Sequence, residues 1–224
     1  MAQVSRAVIQ AVAAGLLGLG ALSALAGTWR WLGAWAFALV FGLAAFSSAK
    51  AFRDSPGLAE ERKTAARKAR SLDRFLVAAM NTLLPLTVVL GGLDKRLTWF
   101  PALPPALTLA AFPAALAANL LTYRALRANA FFSSHVRIQA DRGQVVVDGA
   151  PYSVIRHPGY AGALLFNLAL PPLLGSVAAC FSAGLMLPLL VVRIRLEEKT
   201  LLAGLEGYAA YMQRVRWRLV PWIW

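Results

Sequence analysis

Four apolar runs separated by short polar stretches fill the first half of the chain, at about Ala7 to Gly27, Leu32 to Ala49, Phe75 to Leu93 and Ala102 to Tyr123. Each approaches the roughly 20 residues that a helix needs to cross hydrocarbon. A fifth run, Ala161 to Val192, is too long for one ordinary span and too short for two full ones. Pro171-Pro172 followed by Gly175-Ser176 breaks it in the middle, which predicts a helical hairpin with a shorter first arm. Between the second and third runs, Lys50–Arg74 mixes both signs and carries Glu60, Glu61 and Arg67 at helical spacings. It reads as a solvated helix lying near lipid headgroups. The expected fold is all-α and polytopic: four full transmembrane helices, a C-terminal helical hairpin, and a polar loop and tail on one side. Residues 1–224 form one domain, with the four spans in 1–123 and the chemistry in 124–224.

Composition agrees with a bilayer as solvent. The chain has 224 residues, 59% hydrophobic and 15% charged, with a mean hydropathy of +0.60. Soluble domains run nearer about half apolar and a quarter charged, and a chain this short could not hide the excess in one core. The net charge of +13 could suggest nucleic acid, but the cations lie between apolar runs rather than on one soluble face. They set topology instead. With Lys50–Arg74 in the cytoplasm, the amino terminus, Arg124–Arg156 and the tail from Arg193 fall on the same side, and only Arg30, Lys95 and Arg96 lie outside. A single span over 161–192 would expel six tail cations, so charge also favours the hairpin. Ala24-Leu25-Ala26 resembles a signal-peptidase site after Arg6, but an uncleaved first helix is expected. Trp29, Trp31, Trp99, Trp217, Trp222 and Trp224 fall where an interfacial belt would.

Several chemistries are excluded at this stage. One cysteine, Cys180, rules out an internal disulfide framework, and two histidines leave little for a multi-histidine metal site. The early spans hold almost no ionisable residue, which argues against a pump or coupled transporter. Asn81 and Asn119 are expected to bond between helices.

Polar chemistry gathers in the last hundred residues. Val145-Val146-Val147 reads as a short extended segment, and Asp148-Gly149, Pro151 and Pro158 then enforce turns. This loop carries Tyr152, Arg156, His157 and Tyr160 to the start of a helix, whose free N–H groups suit a carboxylate or phosphate. Equally, Arg156 and His157 could meet lipid headgroups while the tyrosines anchor the interface. A second cluster, Arg193-Ile194-Arg195-Leu196-Glu197-Glu198-Lys199, follows the last apolar arm. Arg193 with Glu197 and Arg195 with Glu198 have ion-pair spacing; alternatively, a carboxylate there holds a cationic or hydroxyl-rich ligand.

Together these elements resemble the isoprenylcysteine carboxyl methyltransferase family and its broader kin, the phospholipid methyltransferases. The resemblance is carried by Arg156-His157-Pro158-Gly159-Tyr160-Ala161-Gly162, by Arg193…Glu197-Glu198-Lys199-Thr200-Leu201, and by Gly207-Tyr208-Ala209-Ala210-Tyr211…Arg214-Val215-Arg216-Trp217-Arg218-Leu219-Val220-Pro221, in that order. It runs from about Phe131 to Trp224, and the family's Gly-Pro-Tyr stands here as Ala150-Pro151-Tyr152. It implies an S-adenosylmethionine-dependent methyltransferase without a Rossmann domain, releasing S-adenosylhomocysteine at the cytoplasmic membrane face. The implied cofactor residues are Gln139, Gln144, Val145, Val146, Val147, Tyr152, His157, Pro158, Gly159, Tyr160 and Glu198. The implied catalytic pair is Arg193, associated with the acceptor, and Glu198. No metal is implied, nor any nucleic-acid partner.

Methyl transfer from a sulfonium is an in-line displacement, so positioning supplies most of what a protein can add. A carboxylate acceptor is already ionised at neutral pH and needs no base. An amine or thiol would need one, and His135, Glu197 and Glu198 are the available groups. A carboxylate on a lipid-like acceptor entering from the bilayer is therefore expected. The alternatives are a phospholipid or other small-acceptor methyltransferase and, from another class, a non-catalytic lipid-binding or transport protein.

Overall fold

The computed structural model describes residues 2–224, without the side chains of residues 2–5, 63, 66 and 68. Nine α-helices follow in order among these residues: α1 (Ala2–Ala26), α2 (Leu32–Asp54), α3 (Pro56–Lys68), α4 (Ser71–Leu97), α5 (Pro105–Ala128), α6 (Pro158–Leu174), α7 (Ala178–Gly184), α8 (Met186–Gly204) and α9 (Tyr208–Arg214). Five stretches are long and apolar enough to span a membrane: Arg6–Ala26, Leu32–Asp54, Ser71–Leu97, Pro105–Ala128 and Ala178–Gly204. With the shorter α6 they form the all-α polytopic fold, hairpin included. Large apolar side chains such as Leu17, Phe75 and Leu109 point outward, as lipid-facing positions do.

Lipid gives little hydrophobic drive between helices, so small residues set the contacts. On α2, a Cβ at Gly42 would meet the Ala11 carbonyl of α1 at 3.0 Å. On α6, a Cβ at Gly162 would meet the Ala118 carbonyl of α5 at 2.9 Å. Asn119 donates to the Val40 carbonyl across α5 and α2, as expected. Asn81 instead lies exposed on α4.

The hairpin breaks within the expected Pro171–Ser176 stretch, at its Gly175-Ser176 end. Pro171 and Pro172 sit inside the last turn of α6, and the helix ends at Gly175 in the left-handed region, φ 66°. There the N–H groups of Gly175 and Ser176 bond the carbonyls of Pro172 and Pro171, so the prolines serve as acceptors at a helix end rather than as the break. The second arm is itself divided between α7 and α8, because Pro188 has no N–H for the Gly184 carbonyl. Asp94 of α4 ties this end down, accepting from the Ser176 hydroxyl at 2.6 Å and the Ala178 N–H at 3.3 Å.

At the opposite end lie α3, the 129–157 loop and the tail after α8. Lys50–Arg74 is not one solvated helix. Its first residues complete α2, and α3 buries Leu58, Glu61 and Ala65. Val145-Val146-Val147 forms no strand; no ladder partner runs beside it among the described residues.

Candidate active site

The polar end is organised around one buried carboxylate. Glu198 of α8 is 4% exposed, and one of its oxygens accepts from Arg156 Nε at 2.7 Å while facing His157 Nε2 at 3.2 Å. The other accepts from Arg218 Nε at 2.8 Å. The Arg156 guanidinium also donates to the carbonyls of Val215 and Arg216, at 2.7 and 2.8 Å. Backbone bonds repeat the connection, since the N–H groups of Arg156 and His157 donate to the carbonyls of Trp217 and Arg218. The tail therefore straps the turn that opens α6. The Tyr211 hydroxyl adds a bond to the Tyr152 carbonyl at 2.8 Å.

A second chain of contacts begins at Tyr160, in the first turn of α6. Its hydroxyl donates to Glu197 and accepts from Arg193 Nε at 2.9 Å. Arg193 also donates to the Ser134 carbonyl and lies 3.7 Å from Asp73 of α4. Asp73 in turn accepts the Val136 N–H at 3.0 Å. Glu61 of α3 grips the same loop, accepting from Arg137 Nε at 2.8 Å and from the Ser133 hydroxyl at 3.2 Å. Neither intrahelical pair expected on α8 forms: Tyr160 stands between Arg193 and Glu197, and Glu198 turns away from Arg195 to Arg156. Partners from other elements can be buried together with these groups, and same-helix neighbours at the surface cannot match that.

These two networks frame a cleft of about 850 Å³, including its open mouth. Gln139, Gln144, Val145, Val146, Val147, Tyr152, His157, Gly159 and Tyr160 all line it. Pro158, Arg193 and Glu198 do not. Pro158 sets the first turn of α6, and the other two lie behind the wall. Gln139 also staples its own loop, donating to the Phe131 carbonyl at 2.7 Å while its N–H meets Gln144 Oε1 at 2.7 Å. Gly159 is required by packing, because a Cβ there would lie 2.5 Å from the Phe132 ring. The expectations did not assign Asn129, Phe132, Arg137, Tyr208 or Tyr211 to the cleft, which they also line. Tyr208 and Tyr211 could have been found from their i, i+3 spacing after the Gly207 turn.

Burial sets the protonation states of the wall. It raises the phenols of Tyr152 and Tyr208, and pushes Tyr211 up to about 12, so all three remain donors. Burial also lowers His135, with Arg193, Arg62 and Arg74 adding and Asp73 opposing. Hydrogen bonds from Arg137 hold the Glu61 carboxyl below its ordinary 4.5. A depressed carboxyl contributes stability above its unfolded value and loses it as pH falls through the lower folded one. Ligand affinity of the cleft is therefore expected to drop below about pH 4.5 in wild type. In Glu61→Gln it should be weaker at pH 7 and lack that step, which titrations over pH 3.5–7 (about that range) would measure.

Residues 109–203 match the model of the isoprenylcysteine carboxyl methyltransferase (ICMT) family. That match supports the resemblance carried by the motifs. It begins within α5 and ends one residue before the end of α8, so the matched segment contains the loop, the hairpin and both α8 carboxylates. Glu61, Asp73 and the tail strap fall outside it. No curated protein matches the chain. The matched family is one of methyltransferases, and five stretches of this chain are long and apolar enough to span a membrane.

Proposed function

We propose that the chain is an S-adenosylmethionine-dependent methyltransferase acting at the cytoplasmic membrane face on the carboxylate of a lipid-like, isoprenylcysteine-like acceptor. One observation supports this most: the cleft gathers nine of the eleven implied cofactor residues beside a polar helix start, next to the apolar spans. Its chemistry suits a zwitterionic ligand with an aromatic base. Arg156, His157 and the free N–H groups at the start of α6 suit a carboxylate. Glu197 is the anionic group for an ammonium, and Phe132, Val146 and Leu201 offer apolar wall for a purine.

Bound there, S-adenosylmethionine would supply an electrophilic methyl group on a sulfonium. The chain's own work is to position and to exclude. His157 and Tyr160, with rings stacked at 5.6 Å, fix one side of the cleft. Glu198 holds His157 and Arg156 in place, so it acts as a positioning residue. Arg193 does the same for Tyr160 and for the Ser134 carbonyl. No proton need move for an ionised carboxylate. The positive-inside rule assigns this end to the cytoplasm.

A second reading has its own observation. His135 lines the cleft and is held towards its neutral form, so it could accept a proton from an amine or thiol acceptor. Incubating membranes that contain the protein with radiolabelled cofactor decides between them. A base-labile ester on a prenylated cysteine carboxylate is expected. Label on phosphatidylethanolamine instead would favour the amine reading, and label on neither would defeat the carboxylate assignment.

A further inference from the structure

The far side of α8 and the tail enclose a second, shallower groove, lined by Arg195, Glu198, Lys199, Leu202, Met212 and Arg218. Arg195 and Lys199 stand one turn apart on the exposed face of α8, and no carboxylate pairs with either among the described residues. Like charges at this spacing repel. The one carboxylate in the groove, Glu198, is already shared by Arg156, His157 and Arg218. Two cations, Arg195 and Lys199, thus face Leu202 and Met212 without counter-charge, beside an Arg218 whose only carboxylate partner is the shared Glu198.

The tail indicates the depth of this groove. It curls back so that the N–H groups of Arg218, Leu219 and Val220 all point to the Trp224 carbonyl. The Arg218 guanidinium lies 5.2 Å over the Trp224 ring. At the tip of the curl, Trp222 is 84% exposed and Ile223 is 78% exposed. An exposed Trp-Ile pair beside the end of a membrane-spanning helix belongs at the headgroup boundary. There, a groove with two unpaired cations, Arg195 and Lys199, over apolar carbons matches a phosphate with an acyl chain below it.

We propose that this groove binds the headgroup of an anionic phospholipid. Arg195, Lys199 and Arg218 hold the phosphate, and Leu202 and Met212 receive the first acyl carbons. Occupancy also fixes the tail, because Arg218 is then held from both sides, by the phosphate and by Glu198. The carbonyls of Trp217 and Arg218 that hold Arg156 and His157 are fixed with it. The lipid therefore tightens the cleft, and only this coupling rests on the cofactor reading above.

The test uses the full-length protein and Arg195→Gln/Lys199→Gln, with thermal melts to check that both fold. Native mass spectrometry should find phosphatidylglycerol retained over phosphatidylcholine by wild type, with affinity lowered about fivefold per cation removed. Equal retention of the two lipids, or unchanged retention by the double variant, overturns the proposal. Displacement of the lipid by inorganic phosphate at millimolar level would also overturn it, in favour of a free-anion site. In nanodiscs, wild type should bind S-adenosylhomocysteine more tightly with phosphatidylglycerol present, and the double variant should not. Equal affinity in both discs overturns the coupling. Lipid retention without cofactor binding in any disc would support the lipid site and refute the cofactor reading.

Discussion

Glu198→Gln is expected to lose cofactor affinity and stability together. The substitution keeps the shape of the side chain but leaves Arg156 and His157 buried beside a neutral amide. Breaking a buried pair by removing one partner costs about 3–5 kcal/mol. The loss reaches the cleft because Arg156 and His157 line it while Glu198 does not. Arg218→Ala removes a partner that is 30% exposed, and about 1 kcal/mol is expected there. Thermal melts and S-adenosylhomocysteine titrations on the two variants measure the contrast. Equal, small effects would mean that Glu198 organises nothing.

Arg193→Ala is expected to lower turnover far more than cofactor affinity, because it frees the Tyr160 hydroxyl but leaves the Tyr160 ring on the cleft wall. The side chain is buried, and its removal frees the Tyr160 hydroxyl and the Ser134 carbonyl and leaves Asp73 uncompensated. A destabilisation of about 3–5 kcal/mol follows from the stranded carboxylate. Pairing Arg193→Met with Asp73→Asn removes both charges, so stability should largely return while turnover does not. That split distinguishes a positioning role from a merely structural one. Exchanging the charges, with Arg193→Glu and Glu197→Arg, should fail as well. The new carboxylate at position 193 would face Asp73, now 3.7 Å from the guanidinium. Full activity in the exchanged variant would contradict the arrangement.

The spans, the hairpin and the turn-rich loop before α6 were legible because each rests on local pattern: apolar length, Pro and Gly, or charge bias. Nine of the cleft residues were legible for another reason, the ordered motifs of a family. What sequence could not give were the partners. Glu198 reaches Arg156 across 42 positions and Arg218 across 20. The i, i+4 spacing of Arg193 and Glu197 offered a local alternative that burial against α6 outcompetes. Glu61 looked like one of several surface charges on a mixed-sign helix, and only packing of α3 on the 133–137 loop buries it. The valines at 145–147 have strand composition, but no neighbouring chain offers them a ladder. Their side chains line the cleft instead.

The most direct test is calorimetric titration of the nanodisc-embedded protein with S-adenosylhomocysteine, alongside His157→Ala and Tyr160→Phe. Saturable one-to-one binding in wild type, weakened in both variants while their melts stay cooperative, is the predicted result. No binding in wild type, or affinity unchanged in both variants, would contradict the assignment of the cleft.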